Sequence, residues 1–206
     1  MLQILTSALR VSLVTFVLCG LAYPLALTGL AQWLMPWQAN GSLETDAHGA
    51  PIGSRLIGQP WVDSEWFHGR PSATTAPDPA DPAHAVARPY NAGNSSGSNL
   101  GPASKALFAR LGADRRSLEQ AQPDLAGKML PADMLTASAS GLDPDISPAN
   151  AALQAPRVAK ARGIAASEVQ ALVDAHITRR ALGIFGEPRV NVFELNRVLQ
   201  EASERR

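Results

Sequence analysis

The chain carries no charged side chain between Arg10 and Glu44. The stretch from Val11 to Met35 is almost wholly apolar. A helix rising about 1.5 Å per residue crosses a ~30 Å hydrocarbon core with roughly 20 residues. All remaining charges follow this stretch. The pattern predicts a flank at 1–9, one transmembrane helix over 10–35, and a single domain at 36–206 that carries the polar chemistry. A cleaved signal peptide is the rival reading, with Gly29-Leu30-Ala31 as a weak cleavage site. Signal peptides have apolar stretches of only about 7–15 residues. Trp33 and Trp37 also follow directly, and indoles favour the membrane–water interface, so the reading is a retained anchor. Arg10 and the free amino terminus place the short flank in the cytoplasm by the positive-inside tendency, with 36–206 outside.

Within the span, Ser12, Thr15, Cys19, Ala22, Ala26 and Gly29 are small and recur at intervals of three and four. An unbroken α-helix puts such positions on one face. Small faces let helices approach closely in lipid, so the stripe is a candidate contact with a partner helix. The bland alternative is chance, since Ala and Gly are common in such helices. Pro24 cannot donate to the Gly20 carbonyl and predicts a local kink.

Lys and Arg together number 18, as do Asp and Glu. With zero net charge and no basic cluster, nucleic acid is excluded as a partner. Cys19 is the only cysteine and lies in the span. The domain therefore has no disulfide and no cysteine-based metal site.

The domain reads as α+β: a single mixed, helix-rich extracytoplasmic domain with a short hairpin. Residues 42–57 alternate around a turn-rich centre at Asp46-Ala47-His48-Gly49 and predict a hairpin ending at Leu56-Ile57. From Gly58 to Pro102 the chain is dense in Pro, Gly, Ser, Asn and Asp. A loop of this length is usually functional or disordered, and Trp61, Trp66 and Phe67 argue for packing in its first part. Residues 103–111 predict a short amphipathic helix, and 134–137 a strand. Ser147-Pro148 reads as an N-cap with proline at the first helical position, opening a helix to Arg162 that Gly163 stops despite Pro156. Ser167 is expected to cap a helix to Thr178. Asn191 with Glu194 resembles a capping box for a last helix to Glu201.

Catalytic motifs are sparse. Gly93-Asn94-Ser95-Ser96-Gly97 matches the G-x-S-x-G pattern, but that pattern needs a tight strand-to-helix turn and here follows a proline-rich loop. An anchored hydrolase is thus a remote reading. His48, His68, His84 and His176 show no metal-ligand spacing. No phosphate-loop pattern occurs. Asn40-Gly41-Ser42 and Asn94-Ser95-Ser96 match the glycosylation sequon, which matters only in an organism that uses it.

Several long strings carry a resemblance. They include Gly53-Ser54 with Leu56-Ile57-Gly58-Gln59, Trp66-Phe67-His68-Gly69-Arg70-Pro71-Ser72-Ala73, Tyr90-Asn91 and Ser98-Asn99-Leu100-Gly101-Pro102. Further along are Pro131-Ala132-Asp133, Thr136-Ala137-Ser138, Gly141-Leu142-Asp143-Pro144 and Ile146-Ser147-Pro148. Gln154, Arg157-Val158-Ala159, Arg162, Gly186-Glu187-Pro188-Arg189-Val190-Asn191-Val192 and Leu195-Asn196 complete the set. On these strings the chain resembles the C-subunit family of the bacterial high-affinity potassium-transporting ATPase, the Kdp complex. The resemblance implies a non-catalytic subunit of the inner membrane with one membrane helix and an extracytoplasmic domain. Its implied partners are a channel-like potassium-translocating (KdpA-like) subunit and a P-type ATPase (KdpB-like) subunit, beside membrane lipid. It further implies roles in assembly and as a catalytic chaperone that raises the ATP affinity of the ATPase subunit, so ATP is implied for the complex, while this chain itself is expected to bind no cofactor.

Two site expectations accompany it. Ser95, Ser96, Gly97, Ser98 and Asn99 loosely resemble the L-S-G-G-Q signature of ABC transporters, whose backbone N–H groups could face a phosphate. That would make the chain a direct nucleotide-binding regulator, and it requires the domain on the ATP side of the membrane. A plain small-residue turn is the other reading. Second, Trp66, Phe67, Arg70, Asn91 and Asn99 form a candidate surface for docking on the potassium-translocating subunit, since aromatic and arginine side chains are favoured anchors. A self-packed loop is the alternative.

Overall fold

A computed structural model describes residues 1–46 and 48–204. The chain divides into two units, Met1–Ile52 and Gly53–Arg206.

The first unit is dominated by one helix, Leu2–Leu34, long and apolar enough to cross a membrane and with none of its apolar window buried. At about 1.5 Å per residue its 33 residues extend roughly 50 Å. It begins ahead of Arg10 because nothing in the first turns breaks a helix. Its middle, Phe16–Ala22, is π-helical, and the Tyr23 N–H bonds to the Leu18 carbonyl five residues back. Pro24 follows immediately. Its ring crowds the carbonyl four residues earlier, and the wider turn makes room for it. The local distortion expected at Pro24 therefore takes the form of a π segment.

This segment corrects the single small-residue face. One extra residue in a wide turn rotates everything after it by about 100°. Ser12 and Thr15 precede the π segment, Cys19 lies within it, and Ala22, Ala26 and Gly29 end or follow it. The six do not share one straight stripe.

Beyond the helix a short turn at Pro36–Ala39 is tied back by side chains. The Asn40 amide donates to the Pro36 carbonyl at 2.7 Å and pairs with Gln32, and the Trp37 indole donates to the Leu43 carbonyl at 2.9 Å. Strands β1 (Leu43–Thr45) and β2 (Pro51–Ser54) pair as a two-stranded sheet. The Asp46 carboxylate organises the turn by accepting from the N–H groups of His48 and Ala50. Ala47, part of the expected turn, lies outside the described residues. The strands stop at Ser54, whose hydroxyl and carbonyl turn the chain by accepting from Leu56 and Ile57.

The second unit is built around a three-stranded antiparallel sheet of order β5-β7-β6, comprising Asp145–Ile146, Arg189–Asn191 and Ile177–Thr178. Val190 on the central strand faces both Ile146 and Ile177 in register. Three helices cover it: Pro148–Arg162, Ala166–Ala175 and Val192–Glu204. Ala151, Ala155, Val158 and Ala159 of the first meet Val169 and Val173 of the second, with Leu195 and Leu199 from the third. Phe67, from the long loop, completes this core. Small residues on the first helix permit the close approach.

The caps show how the sequence sets these bounds. The Ser147 hydroxyl accepts from the Asn150 N–H, Pro148 opens the helix, and Gly163 closes it at φ 65°. Asn191 Oδ1 caps the last helix by accepting from the Glu194 N–H at 3.1 Å. The Glu194 carboxylate pairs with Arg55.

Three expectations are corrected. Residues 132–134 form a 3-10 turn in place of a strand, because the N–H groups of Leu135 and Thr136 both return to the Ala132 carbonyl. The helix expected at 103–111 runs over Lys105–Ala121, sustained past Gly112 by Arg110–Asp114 and Arg115–Glu119 pairs at 3.0 and 2.8 Å. Ala165 takes the N-cap position expected of Ser167, and that helix ends at Ala175 because Ile177 and Thr178 are drawn into the sheet. Within the long loop, β3 (Thr75–Pro77) and β4 (Ala85–Ala87) form an antiparallel hairpin.

Candidate functional site

The loop from Gly58 to Pro102 has little regular structure, so its backbone groups must find partners elsewhere. They find them in polar side chains projecting from the helices. Asn196, fully buried, accepts from the Phe67 N–H at 2.8 Å and donates to the Phe67 carbonyl at 2.9 Å. Gln154 repeats the arrangement one residue on, accepting from the His68 N–H at 2.8 Å and donating to the His68 carbonyl at 3.0 Å. Arg157 donates to the carbonyls of Ser64 and Trp66, and Arg162 to that of Glu65. These amides and guanidiniums do the work of a neighbouring strand. Arg162 also lies 4.3 Å above the Trp66 ring, which tilts against Trp61 at 5.0 Å.

A second layer fixes the rest of the loop. The Tyr90 hydroxyl donates to the Arg70 carbonyl at 2.6 Å, and its ring fills the space beside Gly58 and Gly69, where any Cβ would come within 2.4 Å. Burial pushes the Tyr90 phenol up to about 12, so it stays a donor. The Thr74 hydroxyl donates to the Arg88 carbonyl, and the Asn91 amide donates to the Thr75 carbonyl at 2.7 Å. Burial, followed by the Arg157 charge, holds the His68 imidazole below its usual value. Its Nε2 lies 3.0 Å from the Asp63 carbonyl.

Beside this loop is a cleft of about 600 Å³ bordered by Arg70, Asp133, Thr136, Asp143, Asp145 and Arg189. Both of its arginines are paired. Arg70 meets Asp143 at 2.9 Å and Arg189 meets Asp145 at 2.8 Å. Asp133 accepts from the Ser147 N–H, the Ser147 hydroxyl and the Asn150 amide. Burial raises the Asp145 carboxyl, with Arg189 opposing it. Six of the strings that carry the resemblance, those around Arg70, Asp133, Thr136, Asp143, Ser147 and Arg189, meet at this cleft.

The expected site residues separate accordingly. Phe67 is a core residue, fully buried, and presents no surface to a partner; this corrects its place in the docking surface and agrees with the packing expected of the loop's first part, because Asn196 clamps its backbone into the core. Trp66 is half-buried under Arg162. Arg70 and Asn91 are engaged with Asp143 and Thr75. Asn99 is exposed and held at φ 51°. The Ser95 hydroxyl donates to the Ser140 carbonyl, and a Cβ on Gly97 would sit 2.8 Å from the Ala139 carbonyl oxygen. The 95–99 segment thus lies against residues 139–140. The anchor's small residues, including the free thiol of Cys19, are exposed along the helix. Among the described residues no group of three or more His, Cys, Asp or Glu could hold a metal ion.

Sequence reasoning missed Gln154, Asn196, Asp133 and Asp143 as organisers of the loop. The available signal was polarity out of place. Asn150 and Gln154 sit one turn apart on a face otherwise made of Ala and Val, and Asn196 sits between Leu195 and Leu199.

A mixed α+β unit, a long loop clamped by side chains and an apolar N-terminal helix fit a single-pass membrane protein. The comparisons are more specific. The family described as "KdpC: K+-transporting ATPase, c chain" matches residues 5–201. A relative from Rhodopseudomonas palustris (strain BisB5), titled "Potassium-transporting ATPase KdpC subunit", is 54% identical over 205 residues, covering 100% of both chains. One of the same title from Bradyrhizobium diazoefficiens is 53% identical, covering 98% of this chain and 99% of its own. Another, from Methylorubrum extorquens, is 49% identical across 100% of both. The chain belongs to the KdpC family, the c chain of the K+-transporting ATPase complex.

Proposed function

We propose that this chain is a non-catalytic subunit that assembles and stabilises the potassium-translocating and ATP-hydrolysing subunits of the pump. It sits in the bacterial inner membrane as a single-pass protein, N-terminus in the cytoplasm and residues 36–206 outside. The observation that carries this reading is the 33-residue helix Leu2–Leu34, uncharged after Arg10 and with none of its small residues covered. Lipid alone does not require small residues, whereas a packed helix interface does. Ser12, Thr15 and Cys19 offer one such surface and Ala22, Ala26 and Gly29 another.

The chaperone effect on ATP affinity that the resemblance implies is exerted through the assembled complex. ATP is cytoplasmic, and the 95–99 segment is occupied with residues 139–140. Protease access to residue 120 in sealed vesicles holding the whole complex tests the placement. Cleavage only from the periplasmic face is expected. Cleavage only from the cytoplasmic face overturns the topology and revives direct nucleotide contact.

A further inference from the structure

The connection between β6 and β7 displays three large apolar side chains in water. Leu182 is 89% exposed, Ile184 68% and Phe185 62%. The display is held in shape. Ala181 and Phe185 exchange backbone bonds at 2.9 Å, the Gly183 N–H returns to the Arg180 carbonyl, and Leu182, Gly183 and Gly186 adopt positive φ. A tight, bonded turn cannot fold these side chains back onto the core, so their exposure is built into the fold. Contiguous exposed apolar side chains mark a protein or membrane contact.

Two observations select lipid. The first is charge. Of the three arginines from Arg179 to Arg189, Arg180 pairs with Glu187 and Arg189 with Asp145, so the segment with its ion-pair partners keeps one net positive charge, at Arg179. An apolar tip with arginines at its base matches the layering of a membrane surface, where apolar groups enter the acyl boundary and guanidiniums stay among anionic headgroups. The second is the tether. Met35 to Ile52 is 18 residues, at most about 65 Å fully extended. A bilayer holding the Leu2–Leu34 helix is thus present at high effective concentration.

We propose that the 181–185 turn inserts Leu182, Ile184 and Phe185 into the lipid surface and forms a second, shallow membrane contact for this chain. The contact is with whichever leaflet the unit faces, so it does not depend on the topology proposed above. In the test, Cys19→Ala removes the native thiol and Ile184→Cys carries a nitroxide spin label. The labelled full chain is assembled with its partner subunits in vesicles of phosphatidylethanolamine and phosphatidylglycerol. Accessibility to molecular oxygen, which concentrates in lipid, is compared with accessibility to a water-soluble nickel chelate. The reference is the same label at Ala80→Cys, in the exposed β3–β4 connection. Insertion predicts an oxygen-to-nickel ratio severalfold above the reference. A ratio equal to the reference overturns the proposal, as does a label shielded from both reagents, which would assign the turn to a protein contact.

Discussion

Replacing Asn196 with leucine removes the side-chain amide and keeps the branched outline with some added bulk, so no cavity is created. What it removes is both partners of the Phe67 backbone, which is buried with its side chain in the core. A buried N–H or C=O left unsatisfied costs about 1–3 kcal/mol, so the pair costs about 2–6 kcal/mol. Against a typical total of about 5–15 kcal/mol this is a large fraction. A mid-range urea slope of about 2 kcal/mol per molar translates it into a midpoint lower by roughly 1–3 M. The full chain in mild detergent is a suitable sample, because Trp66 stacks under Arg162 and against Trp61 and its emission reports release of the loop. Gln154→Met should cost a similar amount, because it frees the N–H and carbonyl of His68. Together the two should cost less than their sum, since the clamps hold adjacent residues and losing one releases what the other grips. A midpoint for Asn196→Leu within about 0.3 M of wild type, at unchanged slope, would refute the reasoning. It would mean that the loop is held by its apolar side chains alone.

Ala22→Leu with Ala26→Leu should separate the anchor from its partner helix and lose this subunit from purified complex, whereas Leu21→Ala should be retained; equal recovery of both refutes the packing surface. His68 is depressed in the fold below its usual value near 6.5. The unfolded chain therefore binds the proton first, and stability should be full above about 6.5 and fall as pH drops through the folded value. His68→Gln should flatten that limb of a urea midpoint against pH curve. Gly141→Ala forces a side chain onto φ +69° with its Cβ 2.4 Å from Thr74 Cγ2 and 2.7 Å from the Ser96 carbonyl oxygen. It should cost more than the ~1–2 kcal/mol of a left-handed alanine. Gly127→Ala, at φ +73° with nothing within 4 Å, should cost only that strain, and equal melting temperatures for the two would contradict the packing argument.

What was legible in the sequence was what local chemistry decides. The gap between Arg10 and Glu44 gave the anchor, Ser147-Pro148 with Gly163 gave both ends of one helix, and Asn191 gave the start of another. Pro24 gave a distortion but not its form, because a π segment depends on the hydrogen bonds the surrounding turns can trade. The strand expected at 134–137 failed because Asp133 is drawn to Ser147 and Asn150, residues that no local window sees. The loop was the hardest part. Its composition announced irregularity, yet its order comes from side chains about ninety to a hundred and thirty positions away. Arg70 and Asn91 look like surface recognition groups when read singly, and Asp143 and Thr75 account for them only in three dimensions.

The Asn196 clamp also sets a timetable. Phe67 and its partner are 129 residues apart, and at roughly 5–20 residues per second a ribosome needs on the order of ten seconds or more to make that stretch. Throughout that interval the loop has been synthesised but its grip has not. The second unit cannot close from its leading end as it emerges. It must wait for the Val192–Glu204 helix, and every product interrupted before residue 196 lacks the partner of the Phe67 backbone. Synthesis through Asn196 thereby becomes a condition for a closed surface.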